Sequence, residues 1–191
     1  MAIRDLFYSL IEKIELWRRK NELGIFLKIL SPSKGDVILD VGAGTGWIAS
    51  EIASLCDEVY ALEPNEHRVE FIKRKHPEVK AFVGTAESIV FPEGYFTKVF
   101  SIMAFHHFEN HDVALEEFHR VLKGKGRLLI LEADPESSGK SQQNFEKRML
   151  KMNVKFVRPD ALKEKSESHN FSLKEIQTMP RGYLLVAEKT G

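Results

Sequence analysis

The most constraining feature of the sequence is an apolar run that leads into three glycines at every second position, VILDVGAGTGWIA at 37–49. The residues before the first glycine predict a buried β-strand, and those after the third predict the start of a helix. Gly42, Gly44 and Gly46 let the backbone turn tightly and approach a ligand closely. The segment therefore predicts a strand, a ligand-contacting turn and a helix; the alternative is a turn that only joins the strand to its helix.

The residues around this turn favour a ligand without phosphate. The dinucleotide fingerprint is G-x-G-x-x-G, whereas here the third glycine comes one position early and Trp47 follows it. Asp40 precedes the first glycine by two residues and would repel a pyrophosphate. Glu63 ends the next predicted strand, where an acid accepts hydrogen bonds from ribose hydroxyls. A ribose without phosphate, combined with an ammonium or sulfonium group, describes S-adenosylmethionine.

The hydrophobic pattern predicts strands that alternate with helices. Such near-continuous apolar strands are typical of a parallel sheet covered on both faces, and the tight turn PRG predicts an antiparallel final pair. The predicted strands are 37–41, 58–63, 79–83, 98–104, 126–133, 171–179 and 181–189. The predicted helices are 3–19, 22–30, 46–55, 66–75, 112–122, a segment through 145–156, and 160–168. The helix at 112–122 is expected to end in a left-handed glycine cap at KGKG.

Composition excludes several functional classes. Lys+Arg and Asp+Glu are equal at 28 each, so no overall positive field attracts nucleic acid or anionic lipid. One cysteine excludes an internal disulfide and a multi-cysteine metal site, and no His/Asp/Glu grouping has metal-ligand spacing. No apolar stretch approaches the ~20 residues of a membrane span, and acids interrupt the N-terminal segment where a secretory signal needs an uncharged run. We expect a cytoplasmic protein with a small-molecule partner and no metal; the oligomeric state stays open.

Four segments, in order, carry a family resemblance: VILDVGAGTG, ALEPN, GTAESIVFPEGYFTKVFSIMAFHHF and EFHRVLKGKGRLLILE. They resemble the class I S-adenosylmethionine-dependent methyltransferases, closest to the small-molecule branch with ubiquinone/menaquinone-type C-methyltransferases. The resemblance covers about 37–133. It implies an α/β, Rossmann-like, seven-stranded and mostly parallel sheet with helices on both faces, an antiparallel last strand and an N-terminal helical cap. One domain is then expected over 1–191, with a cap at 1–30, a cofactor core at 36–135, a substrate-side helical segment at 139–169 and a hairpin at 170–189.

The resemblance also implies a cofactor site for S-adenosylmethionine, with S-adenosylhomocysteine as product. Backbone at Gly42 to Gly44 would pass the methionine end, Glu63 would bind the ribose, and Pro64 would pack on the adenine. The family pattern usually has an aspartate where this chain has Thr85, so either the adenine contact is weaker or Glu87 replaces it. The complete expected set is Asp40, Gly42, Ala43, Gly44, Gly46, Glu63, Pro64, Thr85, Ala86, Glu87 and Ser101.

Candidate catalytic residues lie after the fourth strand, in AFHHFENH. A neutral imidazole titrates near working pH, so His106 is the predicted base and His107 the second candidate; the alternative is that both are structural. The apolar stripe of the N-terminal helix is explained by simple packing, but the resemblance implies that such helices often line the acceptor pocket, which makes Phe7, Tyr8 and Trp17 the candidates there. The later segment with Phe145, Met149, Met152 and Phe156 suits an apolar acceptor, although core packing explains it equally.

These features predict an S-adenosylmethionine-dependent methyltransferase that acts on a small, apolar or aromatic acceptor by in-line displacement. Two alternatives remain. The acceptor is RNA or a protein side chain, against which the charge balance argues, or the chain is a non-catalytic, regulatory S-adenosylmethionine-binding module. Thr85 and Thr97, each at a position where the family pattern has an acid, favour the second alternative. A dehydrogenase is disfavoured by the early third glycine and by Asp40.

Overall fold

The computed structural model describes residues 3–136 and 154–191 of the chain. The strands in this part are β1 (Val37–Val41), β2 (Glu58–Glu63), β3 (Lys80–Val83), β4 (Phe96–Ile102), β5 (Leu122–Glu132), β6 (Phe171–Met179) and β7 (Gly182–Lys189). The helices are α1 (Ile3–Leu30), α2 (Trp47–Ala53), α3 (Glu66–Lys75), α4 (His111–Val121) and α5 (Pro159–Ser168), with a 3₁₀ turn at Phe105–His107.

The seven strands form one sheet in the order β3-β2-β1-β4-β5-β7-β6. The strands β1 to β5 pair in parallel, whereas β7 inserts antiparallel between β5 and β6. The predicted mostly parallel sheet with an antiparallel last strand is therefore confirmed. The strand order reverses at β1, whose neighbours are β2 and β4. In an open parallel sheet, ligands bind beyond the carboxyl ends of the strands at this point.

Each face of the sheet carries its own apolar core. On one face, α1, α2 and α3 pack against alternate residues of the strands. The helix side chains buried there include Phe26, Ile52 and Ile72. On the other face, α4 and α5 pack on the intervening strand residues. The helix side chains buried there include Phe118 and Leu162. Because strands in this sheet are covered on both faces, they read as continuous apolar runs in the sequence.

The N-terminal cap is one helix rather than the two that the sequence predicts. Neither Lys20 nor Asn21 breaks a helix, and α1 runs without interruption from Ile3 to Leu30. It ends where Ser31 adopts a left-handed φ of 47° before Pro32, a common way for a helix to stop.

The N-terminal half of α1 is attached to α3. Tyr8 contacts Phe71 edge to face, with ring centroids 5.4 Å apart. At the carboxyl end of α3, the imidazole Nε2 of His76 lies 2.7 Å from the carboxylate of Glu12. These contacts keep the helix beside the carboxyl edge of the sheet, where the ligand crevice lies.

Three predicted boundaries change for local reasons. Strand β4 begins two residues earlier and ends at Ile102 because Met103 takes a left-handed φ of 51°. Strand β5 starts directly after α4, so the predicted glycine cap is wrong; the left-handed residue is Lys125, with a φ of 62°, inside a register shift of the pairing with β4. Of the predicted 145–156 helix, residues 145–153 lie outside the described residues, and 154–158 are not helical.

Candidate functional site

A cavity of about 560 Å³ opens at the carboxyl ends of β1, β2 and β4. Its floor is the turn after β1, and one wall comes from the end of β2 with the first turn of α3. The opposite wall comes from residues 102–109, and Ile11 of α1 closes one side. A cavity of several hundred cubic ångströms is the usual size for a small-molecule site.

The three glycines of the turn are required for two different reasons. All three have positive φ: 78° at Gly42, 60° at Gly44 and 80° at Gly46. A Cβ at Gly42 would lie 2.4 Å from the Cβ of Ala104, and one at Gly46 would lie 2.8 Å from Cγ1 of Ile72. A Cβ at Gly44 would meet nothing within 4 Å. Gly42 and Gly46 therefore allow close packing, whereas Gly44 leaves open space over the cavity floor.

Glu63 is held by backbone donors at the end of β2. Its Oε2 accepts from Gly44 N at 3.0 Å, and its Oε1 accepts from Asn65 N at 3.2 Å. The guanidinium of Arg68 lies 3.4 Å from the same Oε1. The side chain is almost fully buried but lines the cavity, so it is a fixed carboxylate of the kind that accepts hydrogen bonds from a sugar diol.

Asp40 is buried at the carboxyl end of β1 and also lines the cavity. Burial, and secondarily the charge of Glu63, raises the pKa of Asp40 well above its ordinary value. Two carboxylates in one buried site make the charged form of each costly unless a cation is present. The two carboxylates of Asp40 and Glu63 therefore fit a ligand that has a cationic group and a ribose, as S-adenosylmethionine has.

Pro64, after β2, and Thr85, Ala86 and Glu87, after β3, also line the cavity; their contact with adenine stays a prediction. Glu87 has a structural role there, because its Oε1 accepts from the backbone amides of Glu109 at 2.8 Å and Asn110 at 3.2 Å. The carboxylate thereby ties this wall to the start of α4.

The structure brings together nine of the eleven predicted cofactor residues in the cavity wall: Asp40, Gly42, Ala43, Gly44, Glu63, Pro64, Thr85, Ala86 and Glu87. Gly46 lies outside the cavity wall and packs against Ile72. Ser101 is fully buried within β4 and does not line the cavity; because side chains alternate along a strand, it lies on the same face of the sheet as Val99, the face that α4 covers. The structure thus gives Ser101 no direct place at the ligand.

The two candidate bases occupy different positions. His106 is 1% exposed and lies behind the cavity wall, where its Nδ1 is 2.7 Å from Oε1 of Glu132. His107 is half-buried and lines the cavity. The sequence ranked His106 first, whereas in the structure His107 is the one of the two that lines the cavity. The part of His106 in catalysis stays a prediction.

Several lining residues were not predicted from the sequence: Ile11, Trp47, Ile48, Arg68, Ile102, Met103, Phe108 and Glu109. Arg68 could have been found, since it lies one helical turn beyond Asn65, which caps α3. The apolar group could not, because its members come from α1, α2 and the loop after β4. Of the predicted acceptor-side aromatics, Phe7 is 57% exposed and Tyr8 is buried against α3, while the side chain of Trp17 and residues 145, 149 and 152 lie outside the described part.

Thr97 lies at the opposite edge of the sheet from the cavity. Its Oγ1 donates to Oδ1 of Asp36 at 2.7 Å and accepts from Val37 N at 3.1 Å. It therefore joins β4 to the start of β1, and its replacement of an acid has no bearing on cofactor contact.

Within residues 3–136 and 154–191, no cluster of three or more His, Cys, Asp or Glu side chains is arranged to hold a metal ion. Among the described helices, none has the length and apolar character needed to cross a bilayer.

Comparison with known proteins agrees with this geometry. A family described as "Methyltransferase domain" matches residues 39–130. The methyltransferase YcgJ of Bacillus subtilis is 33% identical over 117 residues, covering 59% of this chain and 46% of that protein. The ubiquinone/menaquinone biosynthesis C-methyltransferase UbiE of Rubrivivax gelatinosus is 31% identical over 118 residues, covering 61% and 45%. The chain thus spans about half the length of these curated relatives.

A solved S-adenosylmethionine-dependent methyltransferase of Thermotoga maritima superposes with a TM-score of 0.80 at 22% identity, over 97% of this chain and 98% of that one. At this identity the likeness concerns the fold. The fold is that of the Rossmann-like methyltransferases. The chain is therefore similar to S-adenosylmethionine-dependent methyltransferases, the ubiquinone/menaquinone types among them.

Proposed function

We propose that this chain transfers a methyl group from S-adenosylmethionine to a small, apolar or aromatic acceptor by in-line displacement. The observation that carries the proposal is the pair of buried carboxylates, Asp40 and Glu63, at the ends of adjacent strands beside an open glycine turn. When bound, S-adenosylmethionine supplies an electrophilic methyl group on a sulfonium.

Each carboxylate has a separate task in this proposal. Asp40 binds the ammonium of the methionine portion, which offsets the burial of its charge. Glu63 accepts hydrogen bonds from the ribose hydroxyls while Gly44 N keeps its carboxylate in place. The open position above Gly44 receives the ligand backbone, which a side chain there would obstruct.

The remaining wall is apolar and supports an apolar acceptor. Ile11, Trp47, Ile48, Ile102 and Met103 line it, and they exclude water from the space next to the methyl group. Positioning an acceptor in line supplies about 7–11 kcal/mol of barrier reduction in well-oriented systems, so the wall contributes mainly by orientation. The name of the relative UbiE, a quinone-biosynthesis C-methyltransferase, also favours an aromatic acceptor.

Calorimetric titration with S-adenosylhomocysteine tests the cofactor site. Wild-type protein is expected to bind with micromolar affinity, and Glu63→Gln is expected to weaken binding about 10- to 100-fold, because a hydrogen bond to a charged group contributes about 1.5–3 kcal/mol. The control is Glu51→Gln, an exposed residue on α2, which should leave the affinity unchanged. Absence of binding to the wild type would refute the proposal.

Transfer itself is tested with methyl-labelled S-adenosylmethionine and a metabolite extract. Label in small molecules supports the proposal and excludes a purely regulatory module. Label in bulk tRNA or protein instead, with tRNA binding that weakens steeply with salt, would assign a macromolecular acceptor.

A further inference from the structure

We propose that the first half of α1 docks on an anionic lipid surface, with its exposed apolar side chains in the headgroup boundary and its exposed basic side chains on the lipid phosphates. This lipid binding goes beyond the proposed methyl transfer and is independent of it. The surface concerned, the outer face of α1, consists of the exposed side chains within residues 4–14: Arg4, Leu6, Phe7, Leu10, Lys13 and Ile14.

The outer face exposes large apolar side chains to solvent. Between 45% and 60% of the surface of each is exposed, and they are Leu6, Phe7, Leu10 and Ile14. A helix on the surface of a globular domain ordinarily has one apolar stripe, which faces the core. The core-facing side of α1 is already occupied here, because Tyr8 packs on Phe71 of α3. The helix therefore has a second apolar face, and a contiguous exposed apolar group of this kind marks an interaction site.

The outer face is a continuous band around the helix. At about 100° per residue, its four apolar side chains fall within an arc of about 100°. Lys13 lies about 20° beyond Leu6 at one edge, and Arg4 lies about 60° beyond Phe7 at the other. Ile11, which closes one side of the ligand cavity, lies between Phe7 and Arg4, so the band adjoins the cavity. An apolar band flanked by basic side chains is the pattern of a helix that lies in the plane of a membrane interface.

The charges of this half of α1 are separated by sign. Both acids turn towards α3, where Asp5 pairs with Arg74 at 2.7 Å and the carboxylate of Glu12 lies 2.7 Å from Nε2 of His76. The two bases of the outer face are exposed. Among the described side chains of residues 4–14, the exposed charge is therefore positive only.

The adjoining end of α3 adds to this positive charge. Its last turn contains Lys73, Arg74 and Lys75, which are all exposed. Two acids of the same region, Glu70 and Glu78, lie 3.9 Å from a guanidinium nitrogen and 3.7 Å from an imidazole nitrogen. The chain as a whole carries no net charge, so the excess of bases is local to this part of the surface. A local basic cluster beside an apolar band attracts anionic lipid.

Anionic lipid fits the outer face better than a second copy of the chain does. In a symmetric pair of these faces, Arg4 and Lys13 of one copy would approach the same basic side chains of the other, and the described outer face offers no acid to pair with them. Like charges brought together across an interface oppose association. The phosphate groups of a bilayer attract both bases, so the charges favour lipid as the occupant.

Co-flotation with lipid vesicles, in the absence of cofactor, tests the proposal. The wild-type protein should float with vesicles of phosphatidylcholine mixed with phosphatidylglycerol, and more weakly with phosphatidylcholine alone. Binding to the mixed vesicles should weaken at high salt, because salt screens exposed charges.

Two kinds of variant separate the apolar from the electrostatic contribution. Leu6→Ser combined with Leu10→Ser should weaken binding to the mixed vesicles about 10- to 100-fold, because the exposed halves of the two side chains together equal about one buried leucine. Arg4→Gln and Lys13→Gln should each weaken binding about fivefold, the usual contribution of one base near an anionic surface.

The matched controls are Leu55→Ser and Lys123→Gln. Leu55 is 42% exposed and Lys123 is exposed, and they lie near the amino ends of β2 and β5, whereas the first half of α1 lies beside the carboxyl edge of the sheet. Both controls should bind the mixed vesicles as the wild type does. All of these substitutions replace exposed side chains, and melting curves should match the wild type.

A nitroxide spin label measures the depth of the outer face in the lipid. Cys56 is buried, so the label reacts with a cysteine introduced by Leu10→Cys or, as the control, by Leu55→Cys. On the mixed vesicles, the label of Leu10→Cys should be more accessible to lipid-soluble oxygen than to a water-soluble nickel complex. The label of Leu55→Cys should show the opposite order.

Wild-type protein that stays in solution with both kinds of vesicle would overturn the proposal. So would unchanged binding of the Leu6→Ser, Leu10→Ser variant, and equal binding to both lipid compositions would overturn the anionic partner. A dimer in sedimentation equilibrium that this double variant abolishes, without vesicle binding, would assign the outer face to a second copy. Calorimetry with S-adenosylhomocysteine is a separate measurement, so failure of lipid binding and failure of the proposed function are distinguishable.

Discussion

Replacing Gly42 by alanine should destabilise the protein for two additive reasons. The residue has a φ of 78°, and a left-handed non-glycine residue costs roughly 1–2 kcal/mol. The added Cβ would lie 2.4 Å from the Cβ of Ala104, an overlap that must be relieved by shifting β1 or the loop after β4, and overpacking of this kind costs about 1–3 kcal/mol. We therefore expect Gly42→Ala to lower the free energy of unfolding by about 2–5 kcal/mol.

Gly44→Ala is the matched control. Its φ of 60° gives a similar backbone strain, but the new Cβ meets no atom within 4 Å. The expected loss of stability is therefore only about 1–2 kcal/mol. The same methyl group stands over the cavity floor, so Gly44→Ala should lose affinity for S-adenosylhomocysteine out of proportion to its loss of stability.

A double-mutant cycle tests the contact directly. Urea denaturation would be measured for Gly42→Ala, for Ala104→Gly and for the two combined. Removing the Ala104 methyl should recover about 1–3 kcal/mol, because neighbouring residues couple when they share a clash. In a thermal scan, Gly42→Ala should melt about 4–20 °C lower, since 1 kcal/mol shifts the Tm of a chain this size by about 2–4 °C. Equal destabilisation by Gly42→Ala and Gly44→Ala, or a coupling energy of zero, would refute the packing argument.

Three further predictions concern individual side chains. The affinity for S-adenosylhomocysteine should rise with pH from about pH 4 up to the raised pKa of Asp40, because the ammonium of the ligand binds the ionised carboxylate of Asp40. Calorimetry should show no such rise for Asp40→Asn. Thr97→Val should cost about 1–3 kcal/mol in urea denaturation by leaving Asp36 and Val37 N short of a partner, while calorimetric affinity stays at the wild-type value. Ser101→Ala should leave stability unchanged or raise it in the same assay, because its buried Oγ has no hydrogen-bond partner in the described structure; a loss above about 1 kcal/mol would reveal a partner.

The sequence predicted the sheet and most of the cofactor wall because both depend on short-range patterns. Continuous apolar strands and the spacing of Gly42 to Gly46 locate the turn, and Glu63 follows from its place at the end of the next strand. A strand end and the turn after it are fixed by local backbone preferences. Residues 39–130 also contain the family match, so local pattern and family agree over the same part of the chain.

What could not be predicted depends on contacts between distant segments. Which of His106 and His107 lines the cavity depends on the contact of His106 with Glu132, 26 residues away along the chain. It also depends on a 3₁₀ turn that the hydrophobic periodicity does not predict. Ser101 is close to the carboxyl end of β4, yet it is fully buried and does not line the cavity.

Asp36, directly before β1, and Asp40, within β1, show how neighbouring acids can serve stability in one case and binding in the other. Burial would raise the pKa of Asp36, but hydrogen bonds from Lys98, Thr97 and Ser33 lower it. The contribution of Asp36 to stability is therefore present at neutral pH and lost as the pH falls through its lowered pKa.

Asp40 has the opposite sign. Burial and the charge of Glu63 raise its pKa, so the folded protein binds a proton more tightly than the unfolded chain does, and stability falls as the pH rises from the ordinary value towards the raised one. Without ligand at neutral pH, Asp40→Asn should therefore be more stable than wild type in urea denaturation. With saturating S-adenosylhomocysteine the order should reverse, because only the carboxylate gains a cation. If Asp40→Asn were less stable than wild type without ligand, the carboxylate would have a partner within the protein, and the argument that it is reserved for a cationic ligand would fail.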